Sequence, residues 1–219
     1  MFRVIGLLVV AVTVSACSLG NRPVMFGYNG APGAGPDRGV TGGSLGGTPR
    51  ETASPTPKNR RTAALDRAGA GRYKKAPKGA LADRDYSRTR LVASEALRMI
   101  NSYRRKHGLR PLKLDVLLTK AAKAHSTDLA KWDRISHYGS DGSNPWDRVR
   151  RTGYKARLAA ENVGTGQASL AEVFEGWRKS PGHNKNLLLR DATQMGIALV
   201  QDPKTEFKTF WTLVLATPG

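Results

Sequence analysis

Cysteine, acidic residues and long apolar runs are scarce in this chain. Cys17 is the only cysteine, so no disulfide can form within the chain. The apolar run at residues 4–14 is too short for a membrane-spanning helix, which needs about 20 residues. Asp and Glu number 17 against 36 Lys and Arg, which gives a formal net charge of +19. The chain is therefore strongly basic, cannot be stabilised by an internal disulfide, and carries one cysteine that needs an explanation.

The N-terminus has the pattern of an export signal. A short basic start, the apolar run and the small residues after it predict a signal peptide at residues 1–16. Val14-Ser15-Ala16-Cys17 looks like a bacterial lipobox, whose cysteine becomes the lipidated first residue of the mature protein. The alternative is an ordinary cleaved signal that a cysteine follows by chance. We predict an exported protein that Cys17 anchors to a membrane of the cell envelope, the outer membrane if the cell is Gram-negative.

The composition changes after the predicted signal. Residues 17–85 are rich in glycine and proline, become basic between 58 and 78, and contain few large apolar side chains. Such a segment gains too little from burial to offset the entropy lost on ordering it. We therefore predict a lipidated flexible tether over residues 17–85, with a reach on the order of 45 Å, followed by one folded domain over residues 86–219.

The positive charge bears on the partners of an exported protein. Both the tether and the domain contribute to the net charge, and the sequence pI is about 10.6. A basic surface segment gains about 1 kcal/mol per Lys or Arg near an anionic bilayer. Phospholipid headgroups, lipopolysaccharide and acidic wall polymers are the expected anions, whereas nothing in the sequence resembles a motif that reads nucleic acid. The alternative is that the charge is solvated and serves solubility alone.

Helical patterns recur through the predicted domain. The first helix ends at Gly108, where glycine suits the left-handed end of a helix. Asp115 is expected to cap a second helix, whose apolar stripe continues to Trp132. Asn144 opens a short third helix, and Ser169 begins a fourth with a capping box.

Strand patterns follow these helices and complete the predicted fold. Residues 195–201 and 207–216 alternate and are rich in β-formers, which predicts a hairpin, and residues 158–164 are expected to form a third strand. Elements of this kind bury their apolar faces by packing in layers. The pattern thus predicts an α+β fold in which helices lie on both sides of a small antiparallel sheet.

Two histidines and a glutamate stand out in the second half of the chain. His137, Glu161 and His183 occur in separate short motifs, each in or beside a predicted turn. Polar side chains that loops present from a rigid scaffold commonly form sites. We expect the three side chains to share one cleft, with Asn162 and Asn186 bracing its loops.

About 130 residues at the C-terminal end resemble the CAP superfamily of cysteine-rich secretory, antigen-five and pathogenesis-related proteins, in its bacterial SCP-like form. The resemblance rests on several short segments and single residues, which are 97–101, 108–112, 124–130, 136–142, 145–148, 153–154, 160–162, Trp177, 180–183, Asn186, Gly196 and Trp211. It implies the α-β-α sandwich of that superfamily and does not extend to the first 85 residues.

The resemblance also implies a cavity and its lining. In the superfamily two histidines and two acidic residues line the cavity, and the histidines can hold a divalent metal. His137 and His183 match the histidines, and Glu161 matches one acid. Two imidazoles and a carboxylate suit Zn²⁺ or another divalent cation. The structural alternative is that each histidine hydrogen-bonds a loop and that Glu161 only orients one of them.

The chain departs from the superfamily pattern at two positions. Lys179 and Ser180 stand where many eukaryotic members have the second acid, and Ala160 replaces the glycine that usually precedes the first acid. The implied site therefore lacks one of the four side chains that line the cavity in the superfamily. His125 is not expected to complete it, because that residue lies on the apolar stripe of the second helix, where a packed and hydrogen-bonded histidine is the more common case.

These features favour a binding module over an enzyme. The first hypothesis is a cell-envelope lipoprotein whose CAP domain binds an amphipathic or anionic envelope ligand, since superfamily members are associated with sterol and lipid binding. The second is a metal-dependent hydrolase that acts on protein or cell-wall substrates, in which an open Zn²⁺ activates water. No general base or stabiliser of transition-state charge is evident for it, because Glu161 cannot easily be both ligand and base.

Overall fold

The computed structural model of the protein describes residues 24–30 and 73–219. The predicted signal peptide, Cys17 and residues 31–72 of the predicted tether lie outside these ranges. Within them, no helix has both the length and the apolarity needed to cross a membrane.

The described residues form five helices and five strands. The helices are α1 (Ala93–Lys106), α2 (Val116–Trp132), α3 (Pro145–Arg151), α4 (Leu170–Lys179) and α5 (Pro181–Leu187). The strands are β1 (Val24–Gly30), β2 (Lys113–Leu114), β3 (Ala156–Thr165), β4 (Gln194–Gln201) and β5 (Thr209–Pro218). They form one sheet in the order β1-β3-β5-β4-β2, in which only the β2–β4 pair is parallel.

Helices cover both faces of the sheet. Alternate residues of β5 explain the two layers, because successive side chains of a strand point to opposite faces. Trp211, Leu213 and Leu215 pack in one cluster with residues of α1, α4 and α5. Val214 and Ala216 pack in a second cluster with residues of α2 and α3. The predicted α-β-α sandwich around an antiparallel sheet is confirmed.

Local signals place the helices that carry the site. Asp115 caps α2, since its carboxylate accepts from the backbone N–H groups of Leu117 at 2.8 Å and Leu118 at 3.0 Å. Gly196 on β4 allows α2 to lie close to the sheet, because a Cβ there would be only 2.1 Å from the backbone nitrogen of Thr119. Asn144 opens α3 with a reciprocal capping box to Asp147. The predicted starts of α2 and α3 are confirmed.

Parts of the predicted tether pack against the domain. Strand β1 lies within residues 17–85, and Lys74 pairs with Ile135 through a β-bridge. Leu81 is only 3% exposed, and Arg84 forms an ion pair with Glu172 at 2.6 Å. The described fold therefore includes residues before the predicted boundary at 86. A segment poor in apolar residues can dock in this way because the domain supplies the preformed surface, so a single buried leucine and a few polar contacts suffice.

Two details of the helices differ from the sequence prediction. Trp132 is 44% exposed, because α2 ends there and Asp133 turns the chain with a left-handed φ of 45°. Ser169 caps α4 by accepting from Glu172 N–H, but the Glu172 carboxylate accepts from the N–H of Ala168 instead of closing a capping box. The ion pair with Arg84 accounts for the altered position of that carboxylate.

Candidate functional site

The three predicted site residues lie on three kinds of element. His137 is in the loop between α2 and α3, Glu161 is in the middle of β3, and His183 is in the first turn of α5. The prediction that all three lie in or beside turns is therefore correct only in part. Glu161 is in a strand because the small residues around it pair with β1 on one side and β5 on the other.

Glu161 is the centre of a buried ion cluster. Its side chain is 1% exposed, and its Oε2 atom accepts from Nη2 of Arg148 at 2.7 Å. Its Oε1 atom accepts from Nδ1 of His137 at 2.8 Å. Arg148 also donates to the backbone carbonyls of Ser143 at 2.8 Å and His137 at 3.0 Å. One arginine thus compensates the carboxylate and holds both ends of the loop that carries His137.

The cluster keeps Glu161 ionised. Burial alone would raise the pKa of a carboxyl group, but the charge of Arg148 and the neighbouring histidines lower the pKa of Glu161 to about 2. At neutral pH the side chain is therefore a carboxylate, and both of its oxygens already accept hydrogen bonds from within the protein. A carboxylate in this state is well suited to orienting neighbours and poorly suited to taking up a proton.

His125 is packed and hydrogen-bonded, as the sequence predicts. The ring is fully buried, and its Nε2 atom donates to the carbonyl of Ser136 at 2.8 Å. The same nitrogen lies 3.6 Å from Oε1 of Glu161, so this core residue also borders the ion cluster. Burial, with the nearby charge of Arg148, lowers the pKa of His125 to about 4. The ring is therefore neutral at pH 7.

A second network of polar groups joins β3 to α5. Asn162 donates to the backbone carbonyl of His183 at 3.1 Å, and Asn186 donates to the side-chain oxygen of Asn162 at 2.9 Å. Asn186 also reaches the backbone carbonyl of Glu161 at 3.1 Å. Nδ1 of His183 lies 2.7 Å from the hydroxyl oxygen of Ser180. Ser180 is thus the neighbour of His183 at the position where many superfamily members have the second acid.

The arrangement restricts how a metal ion could be held. Within the described residues, no group of three or more His, Cys, Asp or Glu side chains is disposed to hold a metal ion. Both oxygens of Glu161 are engaged, and the Nδ1 atoms of His137 and His183 face Glu161 and Ser180. A metal would therefore use the Nε2 atoms of the two histidines. Glu161 would then orient His137 by accepting a hydrogen bond from its Nδ1 atom, as carboxylates commonly do for metal-bound histidines.

A cavity of about 310 Å³ lies on the α2–α3 side of the ion cluster. Its lining includes His125 and Arg148 of the cluster, the small side chains Ala121 and Ala124, and the exposed cation Lys120. Within the part of the chain that the structure describes, no carboxylate lies within ion-pair distance of Lys120. The cavity thus combines apolar walls with positive charge.

A charged pair lies at the mouth of this cavity. Arg151 and Asp141 both line it and form an ion pair with each other. Burial would raise the pKa of Asp141, but hydrogen bonds from Ser143 and the charge of Arg151 lower it well below its usual range. Asp128, also in the lining, accepts from the backbone N–H of Ser140 at 2.8 Å. Asp128 and Asp141 therefore already interact with loop residues and, in the case of Asp141, with Arg151.

Sequence reasoning missed two residues that shape the site. Arg148 was visible only as part of the 145–148 motif, and nothing in its spacing indicates that it faces a glutamate thirteen positions away on another element. Ser180 was recognised only as the replacement of an acid. A buried acid in a predicted strand requires a counter-charge. Glu161 in such a strand is therefore the signal that an arginine lies nearby, and Arg148 is one of the candidates.

Acid should destabilise the fold through His125. The folded pKa of about 4 lies below the ordinary value of 6.5, so the unfolded chain binds more protons between these values. The contribution of neutral His125 is fully present above pH 6.5 and is lost as the pH falls toward 4. The free energy of unfolding should therefore fall by up to about 1.4 kcal/mol per pH unit in this range. We expect His125→Gln, which retains a donor for Ser136, to remove this slope.

Urea unfolding of the full chain between pH 4 and 7 measures this slope. His107→Gln is the matched control, because His107 is exposed at the end of α1 and lies outside the cluster. An unchanged slope in His125→Gln would contradict the assignment.

Comparison with known proteins agrees with this fold. The family model of the cysteine-rich secretory protein family, CAP, matches residues 97–215. "Uncharacterized protein YkwD" of Bacillus subtilis is 32% identical over 157 residues, which cover 69% of this chain and 59% of the relative. "Uncharacterized membrane protein YlbC" of the same species is 30% identical over 105 residues, which cover 48% of this chain and 30% of the relative. The chain thus spans less than two thirds of the length of either curated relative.

Solved structures show the same fold. An outer surface protein from Borrelia burgdorferi has a TM-score of 0.52 at 22% identity, over 59% of this chain and 97% of that one. An extracellular protein containing a SCP domain from Bacillus anthracis has a TM-score of 0.51 at 22% identity, over 65% of this chain and 44% of that one. With the family model matching more than half of its residues, the chain belongs to the cysteine-rich secretory protein (CAP) family.

Proposed function

We propose that this CAP domain is an exported binding module for an amphipathic, anionic molecule of the cell envelope. The observation that carries the proposal is the cavity beside the ion cluster, which has apolar walls and positive charge at its rim. Sites for small ligands are typically concave and mostly apolar, with a few placed polar groups. An apolar body can fill the space along Ala121 and Ala124 while an anionic head contacts Lys120 and competes with Asp141 for Arg151.

The chain as a whole supports an anionic partner. Its formal net charge of +19 favours a position close to anionic envelope surfaces. The similarity to an extracellular SCP-domain protein and an outer surface protein makes export plausible. Anchoring through a lipid on Cys17 would hold the domain near such surfaces, and this anchor remains part of the proposal.

The state of Glu161 supports binding over hydrolysis. A general base must reach the proton that it removes and must have a pKa suited to taking it up. Glu161 is buried behind His137 and Arg148, and its pKa is about 2. A metal-dependent hydrolase would lose turnover on chelation and in Glu161→Gln. A binding module would keep its ligand after chelation, so the two functions can be separated.

Charge removal at the cavity rim should weaken binding to anionic membranes. We expect Lys120→Gln with Arg151→Gln to reduce affinity for phosphatidylglycerol vesicles by about tenfold or more, because a surface cation contributes about 1 kcal/mol and the loss of Arg151 leaves the Asp141 carboxylate without its counter-charge. Co-sedimentation of the full chain with these vesicles, and with phosphatidylcholine vesicles for reference, measures the effect.

The matched control removes the same charge from the same helices. Lys123 and Arg150 are exposed on α2 and α3 but do not line the cavity. Lys123→Gln with Arg150→Gln should therefore retain most of the affinity. Equal losses in the two double variants would show that only net charge matters, and would reject the cavity as the binding site.

A divalent metal is the second ligand that we propose for this site. It would be held by Nε2 of His137 and His183, with Glu161 orienting His137 through Nδ1. When bound, Zn²⁺ would supply a Lewis acid beside the two histidines. The residues of the chain contribute orientation, since the two Nδ1 atoms are fixed by Glu161 and Ser180.

Zn²⁺ titration by calorimetry tests this proposal. We expect stoichiometric binding that is lost in His137→Ala and in His183→Ala, because each removes one ligand. Glu161→Gln should weaken binding by about 10–100-fold without abolishing it, as loss of an orienting partner commonly does. His107→Ala, at an exposed position on the far end of α1, serves as the control. Absence of binding by the wild-type chain at neutral pH would reject a metal site at these two histidines.

A further inference from the structure

Strand β1 closes one edge of the sheet from a distant part of the chain. It pairs antiparallel with β3 over seven residues, from Val24 opposite Thr165 to Gly30 opposite Ala159. It is the outermost strand on that side of the sheet. Without it, β3 would present a row of unpaired backbone N–H and C=O groups, which is a ready template for another strand.

Besides its pairing with β3, β1 contacts one helix of the domain. The strand lies beside α5 as well as β3, and the next described residue along the chain is Tyr73. Because β1 and β3 are far apart in the sequence, no hairpin turn joins them. The backbone hydrogen bonds between the two strands must therefore offset the entropy lost when distant segments are brought together. Net backbone hydrogen-bond energies and the entropy of ordering each residue are of similar size. The backbone pairing by itself therefore contributes little net stability.

The docked strand borders the candidate site. In the register of the pair, Gly27 lies opposite Asn162 and Tyr28 lies opposite Glu161. The neighbouring helix α5 carries His183. The backbone of β1 therefore runs along the side of the site that is formed by β3 and α5.

The composition of the strand matches an uncharged edge. Residues 24–30 read VMFGYNG and contain no charged residue, although the chain has 36 Lys and Arg. On the facing stretch of β3, residues 159–165, Glu161 is the one ionisable side chain, and Arg148 compensates it. An uncharged extended segment thus fits this edge without leaving a charge unpaired.

We propose that the outer edge of β3 is a docking site for an extended polypeptide strand and that Val24–Gly30 is its resident occupant in cis. Exchange of this strand opens the β3–α5 side of the site. The inference adds regulation to the proposed function, because the strand borders the same site. Its test measures backbone protection and peptide binding, so it can fail or succeed independently of the vesicle and Zn²⁺ experiments.

Hydrogen exchange of the full chain tests the docking. Adjacent residues of an edge strand alternate in the direction of their N–H groups, so Gly27→Pro with Tyr28→Pro removes a donor to β3 whichever residue supplies it. We expect exchange to accelerate at least tenfold in residues 24–30 and in the β3 amides that do not bond β5, while the β4–β5 pair is unchanged. Ser44→Pro with Glu51→Pro, outside the strand, is the control and should leave both segments protected.

Two results of that experiment would overturn the proposal. One is exchange of residues 24–30 at the rate of an unstructured peptide in the wild-type chain. The other is unchanged protection of β3 in the double-proline variant. Protection that rises with protein concentration would assign the strand to a second copy of the chain and would reject docking in cis.

A synthetic peptide tests whether the edge accepts a strand in trans. The probe is a fluorescent heptapeptide with the sequence of residues 24–30, and a scrambled heptapeptide is its control. A resident intramolecular strand competes at an effective concentration that is commonly millimolar. We therefore expect the probe to bind the double-proline variant at least tenfold more tightly than it binds the wild-type chain. Equal affinity for both proteins, or no binding to the variant, would contradict a docking site at this edge.

Discussion

The candidate site depends on the buried ion pair between Glu161 and Arg148. A carboxylate in the central part of a sheet can remain charged only if a counter-charge and hydrogen bonds replace the water it has lost. Arg148 supplies both, and it also donates to the carbonyls of Ser143 and His137. The loop that carries His137, the start of α3 and the middle of β3 are thus positioned by a single guanidinium group.

This commitment of Glu161 shapes the function that we propose. A carboxylate whose two oxygens are engaged inside the protein orients its neighbours, and it is not available to remove protons from a substrate. Ser180, which replaces the second acid of many eukaryotic superfamily members, contacts His183 with a neutral hydroxyl group. The site therefore has less negative charge than the superfamily pattern implies, which agrees with a module that binds anionic ligands.

The sequence predicted those features that local signals determine. The cap at Asp115, the start of α3 at Asn144 and the hairpin of β4 and β5 each follow from a few adjacent residues, and all three are present. The pairing of Arg148 with Glu161 could not be predicted in this way, because it depends on how α3 lies against β3. Strand β1 was missed for another reason. Its alternating pattern is short, and the glycines around it lower the apparent tendency to form structure.

The position of the site residues was predictable to a similar extent. The resemblance identified His137, Glu161 and His183, but it did not indicate that Glu161 lies within a strand with both oxygens occupied. Burial and hydrogen bonding decide whether such a residue acts as a ligand or as a support, and both arise from tertiary packing. The contacts of these residues therefore required the structure, whereas their choice as candidates did not.

A double-mutant cycle on Glu161 and Arg148 tests the central claim most directly. The free energy of unfolding in urea is measured for the full chain, Glu161→Gln, Arg148→Met and the variant with both changes. We predict that Arg148→Met alone costs about 3–5 kcal/mol, because it leaves a buried carboxylate unpaired, and that the double variant is much less destabilised than the sum of the two. A coupling energy near zero, with little cost from Arg148→Met, would show that Glu161 is not committed to this pair and is available for chemistry.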